Sequence, residues 1–504
     1  MGIRGLSYEW MVFILVVLFD SAVLRAVDFS FSFAESQADA KWSSTSGTTI
    51  TKQQDHWRIQ ASNWDSKIYR RIDLPAGRYN LYGSGAGKIR LILTQDWKDQ
   101  VVILNLSGEN YRTDYRDFIA PGGPLFLVVQ AYGADAQARI QWLKIQDAPP
   151  VPAQDTPDPA VLATQHPQPK IVRGFMSGDV QAPGGFKDMR SWGANVVRLQ
   201  IDPVQRAQAL HRSLWDAWPA VLDDVESQVK RAADAGMKVV VDLHRAPVME
   251  VAHIDMPELW NHPDLEKNFR RVWHDIAQRL LPYKDTIWGY DLYNEPLDRN
   301  QLPWPTRQWY PLAVKILQTI REVDRDTWII YEPGPGGMFR GFNGLRPLPD
   351  NHVIYSAHFY SPMEFTHQGI SNVADIDLAH AMEKLNVHYP SLINDVRWDK
   401  AQIEAEIKPA EEFQAKWHVP IYVGEFSVVR WAPHDDAVRW LKDVIGVFEA
   451  RGWSWSYHAY REWNGWSLEH DETFWREGMP YPDPVTYETD RAKVIKEALR
   501  ASAP

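Results

Sequence analysis

The chain contains no cysteine among its 504 residues. Disulfide bonds, thiolate metal sites and a cysteine nucleophile are therefore excluded. The chain also lacks an excess of positive charge, because its formal net charge is -11 at pH 7. This balance argues against binding to nucleic-acid phosphates, so nucleic acid is not expected as a partner. The sequence shows no internal repeat and no calcium-site motif.

The composition is that of a globular protein, with 45% hydrophobic and 24% charged residues. The length favours more than one domain. The chain carries 24 Trp and 20 Tyr, which is a high aromatic content. Aromatic rings stack well on sugars but also fill ordinary protein cores, so this content gives mild support for a carbohydrate ligand.

The N-terminus has the pattern of a signal peptide. Arg4 precedes an apolar run from Trp10 to Phe19, which is too short for a comfortable membrane span. We predict a signal peptide over residues 1–26 with cleavage near Ala26, and a secreted or periplasmic protein without stable membrane association after cleavage. An uncleaved anchor and a mis-assigned start are the alternatives.

Residues 27–147 alternate apolar and polar side chains with a period of two, as in 56–60, 67–72, 88–93 and 138–145. Gly- and Pro-containing turns separate these segments, and residues 83–87 are interpreted as a hairpin turn. The pattern predicts an all-β sandwich, jelly-roll-like, that resembles carbohydrate-binding modules in style.

Five aromatic residues of this module are candidates for stacking on a sugar: Trp57, Trp64, Trp97, Tyr111 and Tyr115. Packing inside the sandwich explains them equally well.

A proline-rich linker is predicted over residues 148–169. Few large apolar residues occur there, and its prolines are Pro149, Pro150, Pro152, Pro157, Pro159 and Pro167. Such composition gives a semi-rigid spacer between two domains.

After the linker, over residues 170–504, apolar strands alternate with amphipathic helices. The eight strand candidates are Lys170–Gly174, Ala194–Gln200, Lys238–Leu243, Ile287–Tyr293, Trp328–Tyr331, His352–Ala357, Val419–Gly424 and Trp453–Tyr457. Eight strands with intervening helices predict an α/β fold, the (β/α)₈ TIM barrel. The long charged stretch from Ser371 to Trp417 is expected to decorate the rim between the sixth and seventh strands.

Polar residues stand at the C-terminal ends of these strands. They are Arg198, His244, Asn294, Glu295, His358, Tyr360 and Glu425. Each alone has an ordinary explanation: a strand-end histidine is often structural, a buried arginine pairs with a carboxylate, and Asn-Glu-Pro suits a helix N-terminus. Together they fall on the one face of a barrel where catalysis occurs. Two carboxylates facing each other there are the minimal machinery of glycoside hydrolysis.

Between Lys170 and Glu497 the sequence resembles glycoside hydrolase family 5. Residues 293–296, Tyr-Asn-Glu-Pro, look like the acid/base motif of the family, and residues 424–426, Gly-Glu-Phe, like its nucleophile motif. The remaining polar strand-end residues match other active-site positions in order and spacing. The resemblance implies a TIM barrel, retention of configuration at the anomeric carbon, and no metal or cofactor.

Roles for these residues follow from retaining chemistry. Glu425 is the expected nucleophile, and Glu295 the expected acid and then base. Arg198 and Tyr360 are expected to orient Glu425 and to keep it anionic. Asn294 is expected to bond the sugar 2-OH, and His244 and His358 to bond sugar hydroxyls or to position the carboxylates.

The last strand departs from the family pattern, which places a sugar-stacking tryptophan there. We predict Trp455 for this role, with Trp463 as the alternative, and note that His458 stands where some relatives show the tryptophan. Trp431 and Trp288 are further aromatic candidates, although packing in the core explains each of them slightly better.

Three other carboxylates compete with the catalytic pair. Glu332 ends the fifth strand and is interpreted as a substrate contact or a structural residue. Glu364 and Glu462 follow the sixth and eighth strands.

These features predict a secreted, retaining β-glycoside hydrolase that acts on a polysaccharide or oligosaccharide. The favoured activity is that of an endo-β-1,4-glucanase. Mannan, xylan, other β-glucans and glycolipid headgroups remain alternative substrates. A transglycosylase shares the same catalytic residues, and a carbohydrate-binding protein with a catalytically weak barrel is the alternative from another class.

Overall fold

The computed structural model of the chain describes residues 28–33, 42–63, 66–95, 97, 100–106, 108–132, 136–147, 167–177, 185–249, 257–301, 305–370, 384–393, 396–476 and 478–501. The chain divides into two compact units, Met1–Pro150 and Val151–Pro504. The predicted signal peptide and residues 148–166 of the predicted linker lie outside the described residues, so both stay predictions.

The N-terminal unit consists of antiparallel strands in two sheets. The strands are β1 Asp28–Ser32, β2 Ser43–Ser44, β3 Thr48–Lys52, β4 Trp57–Ala61, β5 Lys67–Leu74, β6 Gly77–Gly87, β7 Ile89–Thr94, β8 Gln100–Asn105, β9 Gly108–Ala120, β10 Gly123–Ala131 and β11 Gln137–Asp147. One sheet has the order β3-β4-β11-β6-β9, with β1 also paired to β11, and the other the order β2-β5-β10-β7-β8. This strand-rich unit agrees with the predicted β module.

The hairpin turn predicted at residues 83–87 is wrong, because these residues complete strand β6. A Cβ atom on Gly83 would lie 2.4 Å from Cδ1 of Leu91, and one on Gly85 would lie 3.0 Å from the carbonyl oxygen of Arg139. Glycine is needed at both positions because neighbouring atoms approach the strand backbone closely, and not because the chain turns there.

The aromatic candidates of this unit differ in their surroundings. Trp57 is buried and packs edge-on against Phe33, with ring centroids 5.1 Å apart, so it belongs to the core. Trp97 is 43% exposed and stacks on Phe126. Tyr111 is partly buried and lies edge-on to a histidine ring. Trp64 and the side chain of Tyr115 lie outside the described residues.

The C-terminal unit is a closed barrel of eight parallel strands, which confirms the predicted TIM barrel. Its strands, in barrel order, are β12 Arg173–Ser177, β13 Val196–Ile201, β14 Lys238–Leu243, β15 Ile287–Asp291, β16 Ile329–Tyr331, β17 Val353–Phe359, β20 Ile421–Phe426 and β21 Ser454–His458. A separate hairpin between β17 and β20 consists of β18 Ser391–Ile393 and β19 Val396–Trp398.

Helices lie between and after the barrel strands. The described α-helices are α1 Gly185–Ser191, α2 Pro203–Ala209, α3 Leu214–Asp234, α4 Pro257–Trp260, α5 Leu265–Leu280, α6 Trp309–Arg321, α7 Met363–Thr366, α8 Lys400–Trp417, α9 His434–Glu449 and α10 Asp490–Arg500. Short 3₁₀ helices occur at Leu281–Tyr283, Arg299–Gln301, Phe339–Phe342 and Asn464–Trp466. None of the helices in the described ranges is long and apolar enough to cross a bilayer.

Apolar periodicity explains why these segments are helical and where they pack. In α5, residues Phe269, Val272, Trp273 and Ile276 recur at helical spacing, and all four are fully buried. The first barrel strand lies three residues further along the chain than predicted, at Arg173–Ser177. The long insertion after the sixth strand contains hairpin β18–β19 and helix α8, and residues 371–383 lie outside the described ranges.

Alternation along the strands divides barrel residues between two environments. One cluster inside the barrel is apolar and consists of Val172, Val196, Val240, Trp288, Ile330, Ile354 and Tyr422. Further toward the C-terminal strand ends, the interior is filled by Arg198, Asp242, Asp291 and Glu332, all fully buried. Residues of opposite parity, such as Val197 and Leu199, face the surrounding helices and form the main core.

Candidate active site

A single guanidinium group organises the polar half of the barrel interior. Arg198 is fully buried on β13 and contacts four carboxylates on four other strands or strand ends. These contacts are to Asp242 at 3.1 Å, Asp291 at 2.9 Å, Glu332 at 2.8 Å and Glu425 at 2.6 Å. Burial alone disfavours the charged guanidinium, but these carboxylates raise the pKa of Arg198 well above its ordinary value. The site therefore contains a permanent cation.

Glu425 lies within β20 and is 4% exposed. Its Oε1 accepts a hydrogen bond from Arg198 Nη1 at 2.6 Å, and its Oε2 accepts one from the Tyr360 hydroxyl at 2.7 Å. Burial opposes ionisation, but His358, His458 and Arg198 hold the pKa of Glu425 well below its usual range. The carboxylate is therefore anionic and fixed in orientation.

Gly424 gives the chain room beside this carboxylate. A Cβ atom at this position would lie 3.0 Å from both His358 Nε2 and Ser356 Oγ. The pairing of β17 with β20 shifts register between Ala357 and His358, so that His358 pairs with Glu425. This irregularity turns Glu425 toward the interior.

Glu295 follows β15 in a strained conformation, with φ of 47°. Left-handed backbone at a residue other than glycine costs free energy and recurs at functional sites. Its side chain is 36% exposed, and its Oε1 lies 2.8 Å from His358 Nδ1. No helix begins at Asn294, so the alternative reading of Asn-Glu-Pro as a helix N-cap is wrong.

His358 connects Glu295 to the buried carboxylate Glu332. Its Nδ1 faces Glu295, and its Nε2 lies 3.0 Å from Glu332 Oε1. Glu332 also accepts a hydrogen bond from the backbone N–H of Glu295 at 2.8 Å. Burial disfavours the imidazolium, but Glu332, Glu425 and Glu295 raise the pKa of His358 well above its ordinary value.

The carboxylates of Glu295 and Glu425 lie close together. Ligating atoms of Glu295, His358 and Glu425 all lie within 4.8 Å of one another. Such groups are chemically able to bind a cation, but an imidazole that carries a proton on both nitrogens is a poor ligand. We assign these residues no metal-binding role.

The remaining predicted site residues border this pair. Asn294 Oδ1 accepts a hydrogen bond from Arg198 Nη2 at 3.0 Å. His244 is 29% exposed, and its Nδ1 lies 2.9 Å from Asp242 Oδ2. Burial disfavours its charged form, but Asp242 raises the pKa of His244. Asp291, on β15, has a pKa raised well above its ordinary value, chiefly by burial.

The structure corrects the prediction that Trp455 forms a sugar platform. Trp455 is fully buried outside the barrel, where its indole N–H donates to Glu449 at 2.7 Å and its ring packs against Phe426. The physical reason is that successive side chains of a strand point to opposite faces. Ser454 and Ser456 face the barrel interior, so Trp455 between them faces outward. The bond between Ser456 and the interior residue Tyr422 marks that orientation.

The other aromatic candidates have different surroundings. Trp288 belongs to the apolar cluster inside the barrel, where it packs against Tyr422, so its candidacy is wrong. Trp431 is 9% exposed and donates its indole N–H to the Gln368 carbonyl. Trp463 is partly buried and contacts the ring of Trp431.

Two further residues border the site: His458, which was noted in the sequence at the position of the family tryptophan but given no role, and Trp466, which was not predicted. His458 ends β21, and its Nδ1 lies 2.6 Å from the Tyr360 hydroxyl and 3.3 Å from Glu425 Oε2. The Trp466 ring lies 5.8 Å from that of His458 and 6.0 Å from that of Tyr360. The signal for His458 was available, because it shares the parity of Ser454 and Ser456. Trp466 lies beyond the strand, where no periodicity applies.

The competing carboxylates take different places. Glu332 is fully buried and so is structural rather than a substrate contact. Glu462 lies at the rim, with its Oε1 3.5 Å from His458 Nε2. Glu364 lies in the first turn of α7.

Comparison with known proteins gives one family. The family model described as cellulase, glycosyl hydrolase family 5, matches residues 165–466. Endoglucanase C of Acetivibrio thermocellus is 26% identical over 226 residues, covering 42% of this chain and 64% of that protein. Cellodextrinase A of Ruminococcus flavefaciens is 23% identical over 284 residues, covering 55% of this chain and 78% of that protein.

The chain thus spans 64% of the length of endoglucanase C. Among solved structures, Thermotoga maritima Cel5A in complex with mannotriose has a TM-score of 0.50 and 22% identity, covering 67% of this chain and all of that one. This likeness concerns the fold of the barrel.

Proposed function

Because this chain belongs to the cellulase family, glycosyl hydrolase family 5, we propose that it is a retaining β-glycoside hydrolase. The observation that carries the proposal is the approach of Glu295 and Glu425, because one carboxylate oxygen of each lies within 4.8 Å of the other. Retaining enzymes hold two carboxyl groups about 5–5.5 Å apart, whereas inverting enzymes leave roughly 6.5–9.5 Å for a water molecule. The short separation supports double displacement.

Glu425 is the nucleophile in this proposal. Its oxygen attacks the anomeric carbon, the bond from that carbon to the leaving oxygen breaks, and a covalent glycosyl ester forms. The hydrogen bonds from Arg198 and Tyr360 support this role because they favour the ionised carboxylate.

Glu295 supplies the proton. It donates to the leaving oxygen while the ester forms, and its carboxylate then accepts a proton from the water that attacks the anomeric carbon. Glu425 leaves as a carboxylate, so configuration is retained. Exposure of 36% lets the Glu295 side chain reach substrate, while His358 and the backbone contact to Glu332 fix its position.

Asn294 and His244 are the proposed sugar contacts. Asn294 is held by Arg198 beside the acid/base, where its amide can bond the sugar 2-OH. His244 is held by Asp242 and is 29% exposed at the rim, where it can bond a hydroxyl group.

We propose a β-1,4-glucan as the first substrate to test. Support comes from the names of similar proteins, which include endoglucanase C, cellodextrinase A and a xyloglucan-specific endo-β-1,4-glucanase of Bacteroides ovatus. The mannotriose complex of Thermotoga maritima Cel5A makes mannan the second substrate to test.

The decisive experiment measures reducing-sugar release from β-glucans, mannan and xylan by wild type, Glu295→Gln and Glu425→Gln. Each glutamine keeps the shape but removes the carboxyl chemistry, so kcat should fall by about 10²-fold or more. Glu404→Gln, at an exposed position of α8, is the matched control and should match wild type.

Product analysis by NMR should show the β-anomer first if configuration is retained. An active Glu425→Gln variant would refute the nucleophile assignment. Formation of longer oligosaccharides would indicate a transglycosylase, and binding of a polymer without bond cleavage a carbohydrate-binding protein.

Export and the N-terminal leader are a separate proposal. The apolar run from Trp10 to Phe19 supports it. Expression of the full chain should yield a protein in the medium or periplasm that begins near residue 27, as determined by N-terminal sequencing. A protein retained in the cytoplasm with residues 1–26 intact would contradict it.

A further inference from the structure

A hydrogen-bonded path approaches the nucleophile from the last barrel strand. The Tyr360 hydroxyl lies 2.7 Å from Glu425 Oε2 and 2.6 Å from His458 Nδ1. On its other side, His458 Nε2 lies 3.5 Å from Glu462 Oε1. The path therefore runs from the rim carboxylate Glu462 through His458 and Tyr360 to Glu425.

The protons on this path follow from donor and acceptor counting. An ionised carboxylate only accepts, so the single Tyr360 hydroxyl proton is directed at Glu425. His458 Nδ1 must then donate to the Tyr360 oxygen. Its Nε2 faces the carboxylate of Glu462, which also requires a proton. His458 is therefore an imidazolium that is hydrogen-bonded at both nitrogens.

The surrounding charges agree with this assignment. Burial disfavours the imidazolium, but Glu425 and Glu462 raise the pKa of His458 to about 10. His367, which directly follows α7 and whose ring faces Tyr360, is different: burial and the neighbouring His458 lower its pKa to about 3. The site thus holds one charged and one neutral imidazole around Tyr360.

The charge on Glu425 changes during double displacement, whereas that on His458 does not. A cation 3.3 Å from Glu425 Oε2 stabilises the carboxylate before attack and again as it leaves. It stabilises the neutral ester much less. Such a cation weakens Glu425 as a nucleophile and improves it as a leaving group.

We propose that His458, held by Glu462, is a positioning residue that orients Tyr360 and promotes release of the sugar from Glu425. The role rests on the proposed function, since it presupposes a glycosyl ester on Glu425. Where the family pattern has a stacking indole, this chain places a charged hydrogen-bond donor at the end of its last strand.

The test compares wild type with His458→Asn on the 2,4-dinitrophenyl β-glycoside of a sugar that the wild type cleaves. This leaving group makes ester formation fast. Asparagine can still donate to Tyr360 but carries no charge, so kcat should fall about tenfold, as expected for loss of a charge-assisted hydrogen bond. KM should fall at least as much, so that kcat/KM is unchanged or higher, and a burst of dinitrophenol should appear.

A second variant and a control keep the test independent of folding. Glu462→Gln should change kcat and KM in the same direction but less, because it alters only the outer contact. His211→Asn, at an exposed loop position, should leave both constants unchanged. Intact-protein mass spectrometry should detect the glycosylated His458→Asn enzyme during turnover.

A loss of kcat with equal loss of kcat/KM and no burst would overturn the inference, as would wild-type kinetics in His458→Asn. Either result with an active wild type leaves the proposed hydrolase standing. A wild type that cleaves no glycoside, or an active Glu425→Gln variant, would overturn the proposed function itself.

Discussion

The two halves of the barrel interior are made from the same eight strands but from opposite kinds of residue. Toward the N-terminal strand ends, Val196, Val240, Ile330 and Ile354 pack against each other and against two aromatic rings. Toward the C-terminal ends, Arg198 is surrounded by four carboxylates. Both halves are fully enclosed, so burial alone does not distinguish them.

Their contributions to folding differ in size. Each buried aliphatic side chain stabilises the fold by about 1.5–3 kcal/mol relative to exposure. Buried ion pairs often stabilise less than apolar residues of the same volume, because desolvation offsets their attraction. The charged half is therefore poorly explained by stability. It is well explained by the need to fix Glu295, Glu425 and their neighbours in one geometry.

The largest effect is expected from removing the central cation. Arg198→Met leaves four carboxylates buried without their partner and should lower the free energy of unfolding by about 3–5 kcal/mol. Urea denaturation measures this loss. Arg206→Met is the matched control, because Arg206 pairs with Asp224 at the surface, with side chains 41% and 46% exposed, and should cost only about 0–1 kcal/mol.

Arg198→Lys keeps the charge and should lie between these values. Equal stability of the Arg198→Met and Arg206→Met proteins would show that the charged half does not depend on its arginine.

A smaller effect is expected from Glu332, which touches no solvent. Glu332→Gln weakens its contacts with Arg198, His358 and the Glu295 backbone, so kcat should fall about 10–100-fold with KM little changed. Steady-state kinetics of Glu332→Gln, His358→Asn and the double variant test the connection. Because the two residues are in contact, their effects should not add. Additive losses of kcat would contradict the proposed connection from Glu332 through His358 to Glu295.

The two halves should also differ in pH dependence, since the acidic and histidine side chains lie in the charged half. The folded-state pKa of His458 is about 10, above the ordinary value of 6.5. The folded protein then binds more protons than the unfolded chain between these values, so stability falls as pH rises from about 6.5 to 10. Glu425 has the opposite sign: its contribution is present above its ordinary pKa and is lost as pH falls through the lowered value.

Urea unfolding measured across this range should show a shallower alkaline fall in His458→Asn than in wild type. Identical profiles would contradict the charge assigned to this histidine.

The smallest effect is expected in the apolar half. Ile354→Val removes one buried methylene and should cost about 0.5–1.5 kcal/mol. It should leave kcat and KM unchanged, because Ile354 contacts the apolar interior and not the polar side chains. Thermal unfolding and kinetics on the same preparation measure both. A change in kcat would mean that packing below the site controls its geometry.

Much of this architecture could be predicted from the sequence. The third strand was predicted with its observed bounds, Lys238–Leu243, and the barrel of eight parallel strands was predicted as observed. These predictions succeed because period and composition are local properties. The prediction of a hairpin turn at residues 83–87 was wrong because glycines there allow neighbouring atoms to approach the strand closely. That requirement comes from the tertiary structure.

The candidate site was predictable in part. The polar strand-end residues were found because parallel strands bring their C-terminal ends to one face. The prediction that Trp455 stacks on a sugar was wrong because it relied on the residue type, whereas alternation along the strand directs this side chain out of the barrel. His458 was passed over for the same reason, and the roles of all these residues stay proposals.

The sequence by itself determined the barrel, its strands and the positions of Glu295 and Glu425. Apolar periodicity and polar residues at strand ends are local features that can be identified in the sequence. Only the tertiary structure decided which side chains meet. A register shift between β17 and β20 turns Glu425 inward beside His358, and the end of β21 brings His458 against Tyr360. Such contacts join residues that are far apart in the chain, 98 positions for Tyr360 and His458. They depend on register and closure of the barrel, which no local pattern encodes.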